Sequence, residues 1–144
     1  FKANLDAVFL TTKTVLPWMQ DAKKGAIVNV ASVVGLKGVA YMSAYGAAKA
    51  GLINFTRATA VEAAPHVRVN CIIPGAVLTP ATKRAIPDDE LMEATINTIP
   101  LKRIAKPIEL AKPITFLLSS DASFITGASL VVDGGKTADL NAGN

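Results

Sequence analysis

The spacing of apolar residues along the chain predicts three helices. Apolar side chains recur at helical intervals over about 3–22 and 43–63, and a third helix is predicted over about 107–119. Two lysines followed by Gly25 are typical of a helix end, so we expect Gly25 to terminate the first helix. Pro113 lies inside the third helix and predicts a kink there, because proline lacks the amide hydrogen that the helix needs.

Short β-branched runs between these helices predict the strands of a sheet. The runs lie at 26–31, 67–73 and 129–135, and the first two have the unbroken apolar character of strands buried on both faces. Strands that alternate with helices imply right-handed βαβ units, so the predicted fold class is α/β with a parallel sheet and flanking helices. The stretch 76–106 carries prolines, charges and weak helical pieces, and we expect it to form a mobile cover.

Composition narrows the class of protein further. With 144 residues, 51% of them hydrophobic, the chain is able to bury one core, and its length indicates a single domain. A net charge of +4 from scattered basic residues gives little support for nucleic-acid binding. No apolar run has the length of a membrane helix, and none resembles a signal peptide. The single Cys71 lies in a buried run, so we expect a cytoplasmic protein.

Tyr45 and Lys49 are the sharpest candidates for chemistry. They stand four residues apart in a predicted helix, so their side chains share one face, one turn apart. A phenol titrates near pH 10, but a cation within about 4–6 Å lowers such a pKa by roughly 1–3 units and makes a phenol usable as an acid–base catalyst. By itself the pair more often reflects a core tyrosine and a surface lysine that happen to have this spacing.

Further polar groups follow the ends of the predicted strands, where ligands of parallel sheets bind. Ser32 comes directly after the first predicted strand, where its hydroxyl could form a hydrogen bond with the same substrate oxygen as Tyr45. Pro74 and Gly75 follow the second strand, and Thr79 comes four residues after Gly75. Each of these alone is an ordinary loop, cap or turn residue.

Two other sequence features resemble functional motifs but do not match them. The segment "DGGKT" at 133–137 resembles the end of a phosphate-binding loop, but that motif needs glycine where Leu130 stands. His66 lies in a chain without a G-x-S-x-G serine turn, so a Ser–His hydrolase is disfavoured and we expect His66 in an exposed turn.

In their order and spacing these segments resemble the C-terminal part of the short-chain dehydrogenase/reductase family. The matching pieces are "NLDAVFL", "GAIVNVASVVG", "AYGAAKAGL", "VRVNCIIPGAVLT" and "SFITGASLVVDGG", which span nearly the whole chain. The resemblance implies a Rossmann-like, doubly wound parallel sheet, of which the chain holds three strands and their helices. It also implies a small-molecule secondary alcohol or ketone as substrate, NAD or NADP as cofactor, and a homodimer or homotetramer.

The same resemblance implies roles for single residues. Tyr45 exchanges a proton with the substrate oxygen, Ser32 polarises that oxygen, and Lys49 makes the phenol more acidic and holds the nicotinamide ribose. Asn4 positions a water that links Lys49 to solvent. The resemblance further implies that a turn formed by Pro74, Gly75, Val77 and Thr79 holds the nicotinamide carboxamide. Tyr45 and Lys49 are implied to contact the cofactor as well.

Part of the family pattern is absent from these 144 residues. The T-G-x-x-x-G-x-G phosphate loop and the N-N-A-G stretch would precede Phe1, so residues 1–144 are expected to be a partial domain, the catalytic half of a longer protein. In that case the first strand has an open, apolar edge, and the residues that select NAD or NADP would also precede Phe1. The alternative is a catalytically silent oligomerisation module. Dehalogenase or lyase chemistry is disfavoured by Lys49, whose ribose contact serves a nicotinamide.

Overall fold

A three-stranded parallel sheet with helices on both faces organises the chain. The computed structural model describes residues 1–139, and its three strands lie side by side in the order in which they follow one another along the chain. Both strand pairs are parallel, so the carboxyl ends of all three strands meet at one edge, as predicted. The elements are a π-helical turn at Lys2–Asp6, α1 Ala7–Asp21, β1 Gly25–Val30, a 3₁₀ turn at Val33–Gly35, α2 Ser43–Ala63, β2 Val67–Pro74, α3 Pro80–Ala85, α4 Asp89–Asn97, α5 Pro107–Leu118, a 3₁₀ turn at Ser120–Ala122, and β3 Ser129–Val132.

The first helix ends at Asp21, close to the predicted residue 22, but Gly25 does not terminate it. Lys23, and not Gly25, adopts the left-handed conformation, with φ of 52°. The Lys23 amide donates to the Gln20 carbonyl at 2.9 Å and the Lys24 amide to the Met19 carbonyl at 3.1 Å, the two bonds of a Schellman motif. Gly25 is needed for space instead, because a Cβ there would lie 2.8 Å from the Met19 sulfur.

The third predicted helix forms as α5 and continues through Pro113 without ending there. Its first turn is held by Glu109, which accepts from the Lys106 amide at 2.8 Å and forms two bonds of 2.7 and 2.6 Å with the Arg103 guanidinium. These contacts lower the pKa of Glu109 to about 2, first through the Arg103 bonds. The segment before α5, predicted as a cover with weak helical pieces, contains α3 and α4.

The central strand β2 is buried as predicted, but β1 is not. Cys71 in β2 is fully buried and free. In β1 only Asn29 is buried, and Val30 is 45% exposed. The expectation that β1 is buried on both faces is therefore wrong, because within residues 1–139 β1 is an edge strand that pairs with β2 alone. The expected open edge is present.

Two polar side chains of β2 connect the sheet to the segment between α5 and β3. Arg68 donates to the Leu117 and Ser119 carbonyls at 2.8 Å each, which neutralises the carboxyl end of α5. Asn70 is fully buried and bonds the Ile125 carbonyl at 2.8 Å and the Ala128 amide at 3.0 Å. These bonds hold β3 beside β2 and thereby fix the edge at which the strands end.

Helices α1 and α2 cover one face of the sheet through two apolar clusters. One cluster contains Leu52, Ile53 and Cys71 near the carboxyl ends of the strands, and the other contains Ala60 and Val69 toward their amino ends. None of the helices within residues 1–139 combines the length and apolar character that a membrane span requires. His66 lies in an exposed turn, as expected.

Candidate active site

Helix α2 presents Tyr45 and Lys49 at the carboxyl edge of the sheet. Both side chains are half-buried, and the Lys49 Nζ lies 5.7 Å from the centroid of the Tyr45 ring. The same Nζ donates to the Val30 carbonyl, the last residue of β1, at 2.9 Å. Burial lowers the pKa of Lys49 from its ordinary value, since a charged ammonium loses water there. Lys49 therefore joins the phenol-bearing turn of α2 to the end of β1.

Ser32 follows β1 and begins the 3₁₀ turn. Its Oγ accepts from the Val34 amide at 3.3 Å, which makes Ser32 the cap of that turn. Because the oxygen serves as acceptor in this bond, the hydroxyl hydrogen remains available for a donor bond to a ligand. Ser32 stands two residues beyond Val30, so it follows the strand end that Lys49 contacts.

The small residues around this pair allow backbones to approach closely. A Cβ on Gly35 would lie 2.8 Å from the Lys49 carbonyl carbon and 2.9 Å from the Ala50 nitrogen. A Cβ on Gly46 would lie 3.0 Å from the Val34 carbonyl oxygen. The 3₁₀ turn that begins after Ser32 therefore packs directly on the backbone of α2.

Asn4 lies in the π-helical turn that precedes α1. The Phe1 carbonyl accepts from the amides of Asn4 and Leu5 at 3.0 and 2.9 Å and from the Asp6 amide at 3.4 Å. The Leu5 side chain contacts α2 at Gly51, where a Cβ would lie 3.2 Å from it. Asn4 is half-buried, and within residues 1–139 no hydrogen bond joins its side chain to the other three candidates.

The turn after β2 meets the turn after β3. The Gly75 amide donates to the Val132 carbonyl at 3.0 Å, and a Cβ on Gly75 would lie 2.8 Å from the Asp133 Cβ. Pro74 is the last residue of β2 and pairs with Val132. Glycine is therefore required at 75 for a close approach between the two strand ends.

Thr79 lies where its hydroxyl caps α3. Its Oγ1 accepts from the Thr82 amide at 3.2 Å and shares a 3.0 Å hydrogen bond with the Thr82 hydroxyl. Thr82 in turn donates to the Val77 carbonyl at 2.6 Å. Thr82 was not identified from the sequence. A signal was present, because Thr79 followed by Pro80 is a recognisable helix start and Thr82 lies in the first turn of that helix. The two threonines brace the turn that contains Val77.

Comparison with known proteins decides the family. A sequence model described as enoyl-(acyl carrier protein) reductase matches residues 1–137. The chain belongs to the short-chain dehydrogenase/reductase family. Cyclopentanol dehydrogenase of Comamonas sp. (strain NCIMB 9872) is 42% identical over 140 residues, which are 96% of this chain and 56% of that protein. This short-chain dehydrogenase/reductase chain thus spans about half the length of the curated relatives it matches.

Solved structures of similar proteins support the same fold. Levodione reductase superposes with a TM-score of 0.92 at 38% identity, covering 95% of this chain and 56% of that one. ElxO with NADP bound superposes with a TM-score of 0.88 at 33% identity, covering 94% of this chain and 56% of that one. The predicted Rossmann-like α/β class is confirmed. Asn4, Ser32, Tyr45 and Lys49 all lie inside the region that the family model matches.

Proposed function

We propose that this chain supplies the catalytic half of an oxidoreductase that transfers hydride between NAD(P) and a secondary alcohol or ketone. The observation that carries the proposal is the contact of one ammonium, Lys49, with both the Tyr45 ring and the end of β1. A phenol beside a fixed cation, with a serine hydroxyl after the same strand end, is a proton-transfer site.

The proposed reaction in the reducing direction needs a proton at the carbonyl oxygen and a hydride at the carbonyl carbon. Tyr45 gives its phenolic proton to that oxygen, and Ser32 donates a hydrogen bond to it as negative charge develops. Lys49 holds the ribose hydroxyls with the donors that Val30 does not use. When bound, the reduced nicotinamide supplies the hydride. Asn4 positions a water that returns a proton toward Lys49.

The turn after β2 fits the carboxamide of a nicotinamide. No backbone hydrogen bond within residues 1–139 uses the Val77 amide, so it is available as a donor. The Val77 carbonyl and the Thr79 hydroxyl are held in place by Thr82. Pro74 and Gly75 set the path of this turn. The chain's own residues therefore suit the nicotinamide end of NAD or NADP.

The names of the relatives direct the choice of substrate. Cyclopentanol, in the name of one relative, is a secondary alcohol on a ring, and levodione is by its name a diketone. We accordingly propose a cyclic secondary alcohol or the corresponding ketone as the substrate class for the first assays.

The second candidate, a silent oligomerisation module, is favoured by exposed apolar side chains on the helices. Phe9 and Trp18 on α1 are 46% and 70% exposed, and Val61 on α2 is 81% exposed. Such side chains suit contacts with further copies of the chain, and we propose a homodimer or homotetramer for the enzyme as well. Oligomeric state therefore does not separate the two candidates, but cofactor binding does.

Titration of the intact, full-length protein with NADH and NADPH tests the proposal. We expect a saturable change in nicotinamide fluorescence with one of the two cofactors. The variant Lys49→Met keeps the length and apolar stem of the side chain but removes the ribose contact, and we expect about ten-fold weaker binding, as for the loss of one charged hydrogen bond. A wild-type protein without any saturable change would favour the oligomerisation module.

A further inference from the structure

Two hydrogen bonds within residues 1–139 join strand β1 to helix α2. One is the bond from Lys49 to the Val30 carbonyl. The other is buried: the Asn29 Nδ2 donates to the Thr56 Oγ1 at 2.9 Å. Neither Asn29 nor Thr56 belongs to the proton-transfer residues or to the turn that holds the nicotinamide.

In this buried pair the Thr56 hydroxyl both donates and accepts a hydrogen bond. The Thr56 hydroxyl donates its hydrogen to the Leu52 carbonyl at 2.8 Å, which leaves its oxygen to accept from Asn29. Thr56 is fully buried and Asn29 is 6% exposed. In this arrangement the Thr56 hydroxyl has both a donor and an acceptor partner inside the packing, so removing it leaves the buried Asn29 amide without this bond.

The pair lies between the two apolar clusters on this face of the sheet. Asn29 is flanked in β1 by Ile27 of one cluster and Ala31 of the other, and Thr56 lies along α2 between Leu52 and Ala60. Apolar packing is non-directional, so it specifies the register of α2 on the sheet less sharply than a hydrogen bond does. A single directional bond inside that packing specifies one register, as buried polar groups do in some other folds.

That register sets the distance between groups on different elements. β1 leads into Ser32, whereas α2 carries Tyr45 and Lys49. Thr56 is seven residues beyond Lys49, two turns along the same face of the helix. A shift of α2 relative to β1 would change both the Lys49 contact with Val30 and the approach of Ser32 to the phenol.

We propose that Asn29 and Thr56 are positioning residues, which align Ser32 with Tyr45 and Lys49 by fixing helix α2 on strand β1. The inference rests on the proposed function for its catalytic consequence, but the alignment itself is measurable without turnover. Neither residue touches the substrate or the nicotinamide; both act through the elements that carry the reacting groups.

The test compares three variants of the intact protein. Thr56→Val keeps the shape and removes the hydroxyl, and Thr56→Ser restores the hydroxyl. Thr59→Val is the matched control, because Thr59 is 3% exposed on the same helix and its hydroxyl makes no hydrogen bond in the described part of the chain. We expect Thr56→Val to lower kcat about ten-fold with the dissociation constant for reduced cofactor changed less, as loss of an outer positioning contact does. Thr56→Ser and Thr59→Val should stay near wild type.

The second readout is the reactivity of the Lys49 amine, which competitive acylation measures over a range of pH. Mass spectrometry quantifies the acylated fraction. In Thr56→Val we expect the pH midpoint of Lys49 labelling to rise toward that of an ordinary lysine, because the amine leaves its half-buried position at Val30. Labelling of Lys49 that is the same in Thr56→Val as in Thr59→Val would overturn the proposal. If the wild-type protein neither binds cofactor nor turns over substrate, the proposed function fails. The labelling of Lys49 then tests by itself whether Asn29 and Thr56 fix helix α2 on strand β1.

Discussion

Replacing Tyr45 with phenylalanine is expected to lower kcat by about 10²- to 10⁴-fold, the contribution of general acid–base catalysis. The substitution removes one oxygen and leaves the ring beneath the Lys49 ammonium, 5.7 Å from its centroid. The dissociation constant for reduced cofactor should therefore remain within about two-fold of wild type, a small change on the free-energy scale of binding. Steady-state kinetics and a fluorescence titration on the same preparation measure the two quantities.

Tyr41→Phe is the matched control for this experiment. Tyr41 precedes Tyr45 by four residues, and its side chain is fully exposed. The same chemical change there should leave kcat near the wild-type value. Near-normal kcat in Tyr45→Phe would remove Tyr45 from the proton transfer, whatever the result for Tyr41→Phe.

Replacing Gly35 with alanine is expected to have the second large effect, on stability and activity together. The added methyl group would lie 2.8 Å from the Lys49 carbonyl carbon and 2.9 Å from the Ala50 nitrogen, and backbone atoms cannot rotate away. The 3₁₀ turn after Ser32 must then move off α2. We expect the free energy of unfolding to fall by about 1–3 kcal/mol, as for other overpacked sites, with a parallel loss of kcat. Chemical denaturation followed by circular dichroism measures the first effect.

Gly38→Ala separates this steric effect from the general effect of replacing glycine. Gly38 lies in the same connection between β1 and α2, and a Cβ there would meet nothing within 4 Å. Alanine at 38 should leave stability unchanged or slightly raised, because it restricts the unfolded chain. If Gly35→Ala were as stable and active as Gly38→Ala, the close packing of the turn on α2 would not matter for the site.

Periodicity was sufficient to predict the principal helices and strands, because each follows from local patterning. Helix α2 was predicted with the bounds that the structure has, and β2 was predicted as a buried strand. The end of α1 was predicted to within one residue, but the role given to Gly25 was wrong. Lys23 takes the left-handed conformation, and Gly25 lies close to the Met19 side chain, a contact that local patterning does not indicate. The burial of β1 was wrong because composition indicates an apolar strand but not how many neighbours it has.

The candidate site likewise contains residues that the sequence predicts and contacts that it does not. Tyr45, Lys49 and Ser32 were predicted because helix spacing and strand ends place them at one edge, and Lys49 indeed contacts the end of β1. The Asn29–Thr56 bond was not predictable, since its partners are 27 residues apart and each is an unremarkable polar residue in its own element. Thr82 had a local signal as part of a helix start, but its bond to Val77 depends on the fold of the turn.

Transfer of deuterium from a reduced nicotinamide that carries deuterium at both C4 positions tests the central claim most directly. The intact protein is given a cyclic ketone with the deuterated cofactor, and the alcohol is analysed by mass spectrometry and NMR. The account predicts one deuterium on the carbinol carbon, formed at a rate that falls about 10²- to 10⁴-fold in Tyr45→Phe. Alcohol without deuterium at that carbon, or an undiminished rate in Tyr45→Phe, would contradict it.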